Sequence, residues 1–249
     1  MERILSGKTV LVTGAARGIG AQIAHHIINS GGTVYVTDID FKGACANATE
    51  LGPSAIAMRM DVCNRSEVQS TIEKISKEHG VIDVLVNNAG LMTQGPFLNT
   101  TDAEWDELVA VNLTGVRNCI RAVAPFMVER GKGNIINIAS VSAMKGGGAL
   151  GNTWYGSTKA AVVALTKGLS RELGPNGIRV NAIAPGVVET DMVKSSLTPE
   201  IRQKILARFP LARLATKEDV ANLAVFLASD LSSFITGQTI AVDGGFLNT

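Results

Sequence analysis

Thr9-Val-Leu-Val-Thr-Gly-Ala-Ala-Arg-Gly-Ile-Gly20 passes from a β-branched apolar run, through three glycines in seven residues, into an apolar helical pattern that ends near Asn29. Such a switch of periodicity reads as strand, turn and helix in direct succession. Gly14, Gly18 and Gly20 let the backbone turn sharply and, with Arg17 and Ile19 between them, approach an anion at the positive end of the helix. The pyrophosphate of a dinucleotide is the anion such a turn suits. Glycines alone are weak evidence in a chain that carries 26 of them; the strand before and the helix after supply the context. Ser6-Gly-Lys-Thr9 is similar to the end of a phosphate-binding loop but lacks the glycine that opens that motif, which argues against ATP.

Outward from this unit, short apolar runs alternate with longer helical windows. Strands are predicted at Thr9–Thr13, Thr33–Thr37, Ala55–Met60, Asp83–Val86, Asn134–Ile138, Arg179–Ala184 and Thr239–Val242. Most are continuously apolar, as parallel strands covered on both faces should be. Helical windows fall near Gly20–Asn29, Ser66–Glu78, Asp102–Val128, Tyr155–Leu173 and Lys217–Ala228, and Pro125 is expected to bend or end the third. This alternation predicts an α/β fold, a doubly wound parallel sheet with helices on both faces. With no repeat, linker or low-complexity tract, one domain spanning residues 1–249 is expected.

Composition narrows the function classes. The 249 residues are 46% hydrophobic and 18% charged, with a net charge of +1, so there is no basic footprint for nucleic acid or an anionic membrane. No apolar run approaches a membrane span, and the N-terminus lacks a secretory hydrophobic stretch; a cytoplasmic protein is expected. Cys45, Cys63 and Cys119 form no CxxC pair and fit a reducing compartment as small buried residues. The three histidines offer no paired-ligand spacing, so no metal site is expected.

Two further features carry chemistry. Asp38, at the end of the second strand in Thr37-Asp-Ile39, lies 18 residues past Gly20. A carboxylate there can accept both ribose hydroxyls of an adenosine and repels a 2′-phosphate, favouring NAD over NADP, although Arg17 could hold such a phosphate. Tyr155 and Lys159 stand four residues apart, on one face of a helix. A phenol titrates near pH 10, and a cation beside it stabilises the phenolate and brings it toward use as a base.

Asn87-Asn-Ala-Gly90, Asn112 in Val111-Asn-Leu-Thr114, Ser140 closing Asn137-Ile-Ala-Ser140, Tyr155-x-x-x-Lys159 and Pro185-Gly186 follow the glycine turn in that order. Taken together, the set resembles the short-chain dehydrogenase/reductase family across essentially the whole chain. The resemblance implies a single-domain Rossmann fold with seven parallel strands, a nicotinamide cofactor and assembly as a homotetramer. It implies that Tyr155 is the acid/base, that Lys159 lowers its pKa and bonds the nicotinamide ribose, that Ser140 bonds the reacting oxygen, and that Asn112 holds a water leading to Lys159. It also assigns Ile39 beside Asp38 and Asp61 and Val62 to the adenosine end, and Asn88, Ala89 and Gly90 to the adenosine ribose and central cofactor. Pro185, Gly186, Val188 and Thr190 border the nicotinamide. Asn87 reads as structural, and Asp61 could instead cap the turn that follows it.

Fourteen residues separate Ser140 from Tyr155, where the family more often has twelve, so Ser142 is a rival for the serine role. Gly146–Gly148 give that loop freedom, either to shape the substrate site or as a tolerated insertion. Met92, Gln94, Met144, Trp154 and Met192 are expected to line the pocket with Ser140, and residues 191–206 to cover it. The expected reaction is NAD-linked interconversion of a secondary alcohol, such as a polyol, sugar or hydroxy compound, and its ketone. Two alternatives stay open. One is an NADPH-dependent 3-oxoacyl-[acyl-carrier-protein] reductase, which the Arg208–Ala215 and Ile235–Gly245 stretches resemble. The other is a non-catalytic NAD-binding sensor.

Overall fold

The computed structural model describes residues 3–148, 150–194 and 196–248, with backbone alone at residue 79. Its elements begin β1 (Thr9–Thr13), α1 (Gly18–Asn29), β2 (Thr33–Asp38), α2 (Phe41–Leu51), β3 (Ala55–Arg59), α3 (Arg65–His79) and β4 (Val84–Asn87). They continue α4 (Asp102–Val109), α5 (Val116–Arg130), β5 (Gly133–Ile138), α6 (Ser142–Lys145), α7 (Thr153–Leu173) and β6 (Ile178–Pro185). The chain closes with α8 (Asp191–Lys194), α9 (Pro199–Leu206), α10 (Lys217–Ala228) and β7 (Thr239–Val242). The seven strands form one parallel sheet in the order β3-β2-β1-β4-β5-β6-β7.

Successive side chains of each strand serve opposite faces. Val10, Val12, Val34, Val36, Val84 and Val86 pack in one cluster with Ile23 and Ile27 of α1 and Val220 and Ala224 of α10. Leu11, Tyr35, Leu85 and Ile135 belong to the opposite cluster, with Ile72 of α3, Val123 of α5 and Val162 of α7. Two covered faces explain why these strands read as unbroken apolar runs. Burying each such side chain is worth roughly 1.5–3 kcal/mol, which makes the central strands a rigid frame for whatever their ends carry. Because β1 lies between β2 and β4, the chain reverses its winding direction there, and the crevice beyond the strands' carboxyl ends is where such sheets take ligands.

Several expectations are corrected. Of the bend or end expected at Pro125, the end does not occur: α5 runs through it to Arg130, with Ala122, Val123 and Met127 buried around the lost hydrogen bond. The interruption comes earlier, as a π-helical stretch at Ala110–Gly115 whose Asn112 and Gly115 are buried. α2 was not anticipated, because only Ala44 and Ala48 face the core and Gly43 weakens its helical pattern. Of the cysteines, Cys119 is buried, Cys45 is half-buried and Cys63 is exposed. Among the described residues, no helix is long and apolar enough to cross a membrane.

Candidate active site

The β1–α1 turn is bolted to the end of β4. Thr13 Oγ1 accepts the backbone N–H groups of Asn88 and Ala89 at 3.0 Å each, and Asn88 Nδ2 donates to the carbonyls of Thr13 and Gly14 at 3.0 and 2.9 Å. Gly14 (φ +62°) has no room for a side chain, since a Cβ would lie 2.7 Å from Ala89 Cα. A Cβ on Gly20 would likewise strike the Gly14 carbonyl and Asn88. Two of the three glycines are therefore spent on packing the turn against Asn88-Ala89. Gly18 (φ +64°) is different: its nearest neighbour on that side is Thr190 Cγ2 at 4.0 Å. Gly18 and Thr190 face each other across a cleft of about 380 Å³, also lined by Asp191, Lys194, Arg202 and Lys217. Arg17 gives α1 no side-chain cap, so its first-turn N–H groups suit a phosphate.

Asp38 ends β2 and locks this turn from the side. Its Oδ2 accepts the Ala16 N–H at 3.0 Å and its Oδ1 accepts that of Asp40 at 2.9 Å, which leaves each oxygen capacity for a ribose hydroxyl. Ile39 beside it is 60% exposed, free apolar surface at this edge. Asp61 Oδ1 accepts the Cys63 N–H at 2.9 Å, capping its own turn. Val62 is buried against Gly115, and its carbonyl takes Asn118 Nδ2 at 3.0 Å. Asn87 ties strands together, donating from Nδ2 to Asn137 Oδ1 at 2.8 Å. At the end of β6, Gly186 donates to the Val242 carbonyl and Val188 bridges to Ala215, which fixes the chain that leads to Thr190. A cradle of closely packed glycines, an uncapped helix start and a carboxylate one strand away fits a dinucleotide.

Ser140, Tyr155, Lys159 and Asn112 converge beside it. The Ser140 side chain lies beside the Tyr155 phenol, close enough to favour its ionised form, and its Oγ accepts the Ser142 N–H at 3.1 Å. Ser142 begins α6 and lies under the following loop: a Cβ on Gly148 would approach its Oγ to 2.6 Å. Lys159 is buried, donates from Nζ to the Ile138 carbonyl at 2.8 Å, and sits 5.8 Å from the centre of the Tyr155 ring. Gly90 passes against this group, for a Cβ there would lie 3.3 Å from Lys159 Nζ and 3.2 Å from Asn112 Oδ1. The fully buried Asn112 spends its amide on its neighbours. Oδ1 accepts the Leu91 N–H at 2.8 Å, and Nδ2 donates to the Leu91 carbonyl and Thr158 Oγ1 at 2.9 and 3.1 Å.

The electrostatics differ from the simple expectation. Burial lowers the Lys159 ammonium to about 8 and raises the Tyr155 phenol above its ordinary value, the Ser140 hydrogen bond pulling the other way. In this arrangement burial outweighs the help that Ser140 gives the ionised phenol.

Among the expected pocket residues, Met92 is half-buried, and Met144 and Met192 are 44% and 49% exposed on α6 and α8. Gln94 Oε1 accepts the Ser196 hydroxyl at 2.6 Å, joining the loop after β4 to the expected covering segment. Trp154 is committed elsewhere: its ring stacks on Phe97 at 4.5 Å and meets Trp105 at 4.6 Å. Sequence reasoning missed Thr13, Gly151 and Asn152. Asn152 carried a readable signal, a capping residue just ahead of an apolar helix, but the helix was expected to start only at Tyr155.

A dinucleotide cradle facing a cluster of buried Ser140 and Lys159 around a half-buried Tyr155 defines an oxidoreductase of the α/β class. A family model described as enoyl-(acyl carrier protein) reductase matches residues 14–247. An uncharacterized short-chain type dehydrogenase/reductase of Sinorhizobium fredii is 41% identical over 98% of this chain and 99% of its own. The 3-oxoacyl-[acyl-carrier-protein] reductase FabG of Staphylococcus aureus is 40% identical over 96% of this chain and 97% of its own. The crystal structure of a gluconate 5-dehydrogenase from Burkholderia cenocepacia, in complex with NADP and tartrate, superposes with a TM-score of 0.94 at 34% identity, covering 100% of this chain and 98% of that one. The chain belongs to the short-chain dehydrogenase/reductase family.

Proposed function

We propose that this protein is an NAD(H)-dependent oxidoreductase that interconverts a secondary alcohol, such as a polyol, sugar or other hydroxy compound, and its ketone. The observation that carries this reading is the Tyr155 phenol set beside Ser140 and, at its ring centre, 5.8 Å from the buried Lys159 ammonium. Bound NAD supplies the acceptor for the hydride leaving the carbinol carbon. In oxidation Ser140 donates a hydrogen bond to the substrate oxygen while the Tyr155 phenolate takes its proton; in reduction the phenol returns that proton. Lys159 stabilises the phenolate, and Asn112 fixes the Leu91 backbone around the water that leads protons away. Gly18 and the start of α1 hold the pyrophosphate, Thr190 borders the nicotinamide, and Asp38 takes the adenosine ribose hydroxyls. By family likeness the protein acts as a homotetramer in the cytoplasm, on a small molecule rather than on nucleic acid or a membrane.

A second reading is an NADPH-dependent 3-oxoacyl-[acyl-carrier-protein] reductase. It is favoured by the FabG relative, by the NADP in the gluconate 5-dehydrogenase structure, and by Arg17 at the head of α1. Steady-state kcat/KM with NADH and NADPH separates the two. A carboxylate facing a 2′-phosphate makes NADH the better substrate by about tenfold or more. A preference for NADPH overturns the NAD assignment and moves the weight to the second reading.

A further inference from the structure

Asn152 is 8% exposed and caps α7, the helix that carries Tyr155 and Lys159. An ordinary cap offers one oxygen to one N–H of the first turn. Asn152 does more. Its Oδ1 accepts the backbone N–H of Tyr155 at 3.1 Å and the Thr93 hydroxyl at 2.7 Å. Its Nδ2 donates to Thr100 Oγ1 at 3.1 Å and to the Gln94 carbonyl at 3.4 Å. Its own N–H donates to the Thr93 carbonyl, and its carbonyl takes the Gly156 N–H, both at 3.0 Å. From Gln94 the chain of hydrogen bonds continues to Ser196, just beyond α8 and Thr190.

Tyr155 needs such an anchor because it sits in the first turn of α7, where backbone N–H groups lack helical partners. Gly151 completes the seat, since a Cβ there would strike the Tyr155 ring, which lies against bare backbone instead. Misplacing a reacting group by about 1 Å can cost about 100-fold in rate.

We propose that Asn152 is a positioning residue: it holds the Tyr155 phenol at its working place and ties that place to the Thr93–Thr100 loop bordering the substrate. This rests on the acid/base reading of Tyr155. The test uses the full-length protein with the best substrate from a screen of secondary alcohols and ketones. Asn152→Ala lowers kcat by about tenfold or more and moves the limb of the pH profile that belongs to Tyr155, while NAD affinity is kept. Asn152→Asp keeps an acceptor for Tyr155 N–H and Thr93 but sets an oxygen against the Gln94 carbonyl, so it recovers most of kcat but raises KM for the alcohol. Should the alanine variant fail to fold, Asn152→Gly, which removes every side-chain bond but costs a helix start little, takes its place with the same expected losses. A variant with lowered Tm but wild-type kcat and pH profile overturns the proposal, leaving Asn152 as a cap alone. An aspartate variant no better than alanine overturns it too. Tyr155→Phe measured alongside separates the two ideas: turnover kept there removes the acid/base reading, whereas turnover lost there with unaffected Asn152 variants removes only this one.

Discussion

Burial acts in opposite senses on the two ionisable groups at the centre of the site. It raises the Tyr155 phenol and brings the Lys159 ammonium down to about 8. The ammonium therefore starts to lose its charge before the phenol ionises, and Lys159 by itself cannot draw the phenol down to neutral pH. Each pKa unit corresponds to about 1.4 kcal/mol, so a second positive charge is needed, and the oxidised nicotinamide ring is the one the reading supplies. The difference in phenolate absorbance between the wild type and Tyr155→Phe tests this. In the protein alone the Tyr155 phenolate forms only at higher pH than that of an ordinary phenol, and saturating NAD⁺ moves its onset to lower pH. A phenolate already formed at pH 8 without cofactor contradicts the argument. The Tyr–Lys spacing was legible in the sequence because helical geometry alone brings positions four apart together. The direction of the phenol's shift was not, because it depends on what the rest of the fold places over the ring.

The loop between α6 and α7 shows the same limit at the scale of elements. Its glycines suggested freedom, yet Gly146 (φ +70°) and Gly147 (φ +136°) are used to press the loop onto α7. A Cβ on Gly156 would lie 2.5 Å from Gly147 N, 2.8 Å from Gly146 C and 2.9 Å from the Ser142 carbonyl, all backbone atoms. Gly168, in the same helix, has nothing within 4 Å. The two positions should respond with opposite signs in urea unfolding. Gly168→Ala gains up to about 1 kcal/mol from helix propensity. Gly156→Ala loses about 1–2 kcal/mol, because overpacking against backbone exceeds that gain. A stabilising Gly156→Ala would show that the loop yields and does not brace the catalytic helix. The strands were legible because apolar runs covered on both faces leave a continuous mark. The π-helical stretch around Asn112 was not, since its window looks like one long helix until Leu91 claims the Asn112 amide.

Across the whole molecule, all the motifs but Asn112 and the Tyr155–Lys159 pair lie at or just beyond the carboxyl end of a strand, and the sheet order gathers those ends into one crevice. Gly14 follows β1, Asp38 closes β2, Asn88 follows β4, Ser140 follows β5 and Pro185 closes β6. That is why fold and cofactor cradle could be anticipated from local patterns. The bonds that hold the site together could not, because Asn152 to Thr93, Asn88 to Thr13 and Gln94 to Ser196 join polar residues of kinds any loop contains. Substrate identity belongs to the same class, since the methionines proposed to border it, Met92, Met144 and Met192, are flexible apolar side chains that adapt to many shapes. The central claim is that this crevice performs chemistry through one phenol. Its most direct test is Tyr155→Phe, assayed for NAD binding by calorimetry and for turnover of the best secondary alcohol from the screen. The account predicts cofactor affinity close to wild type and kcat lowered by about 10²- to 10⁴-fold; turnover near wild type would contradict it.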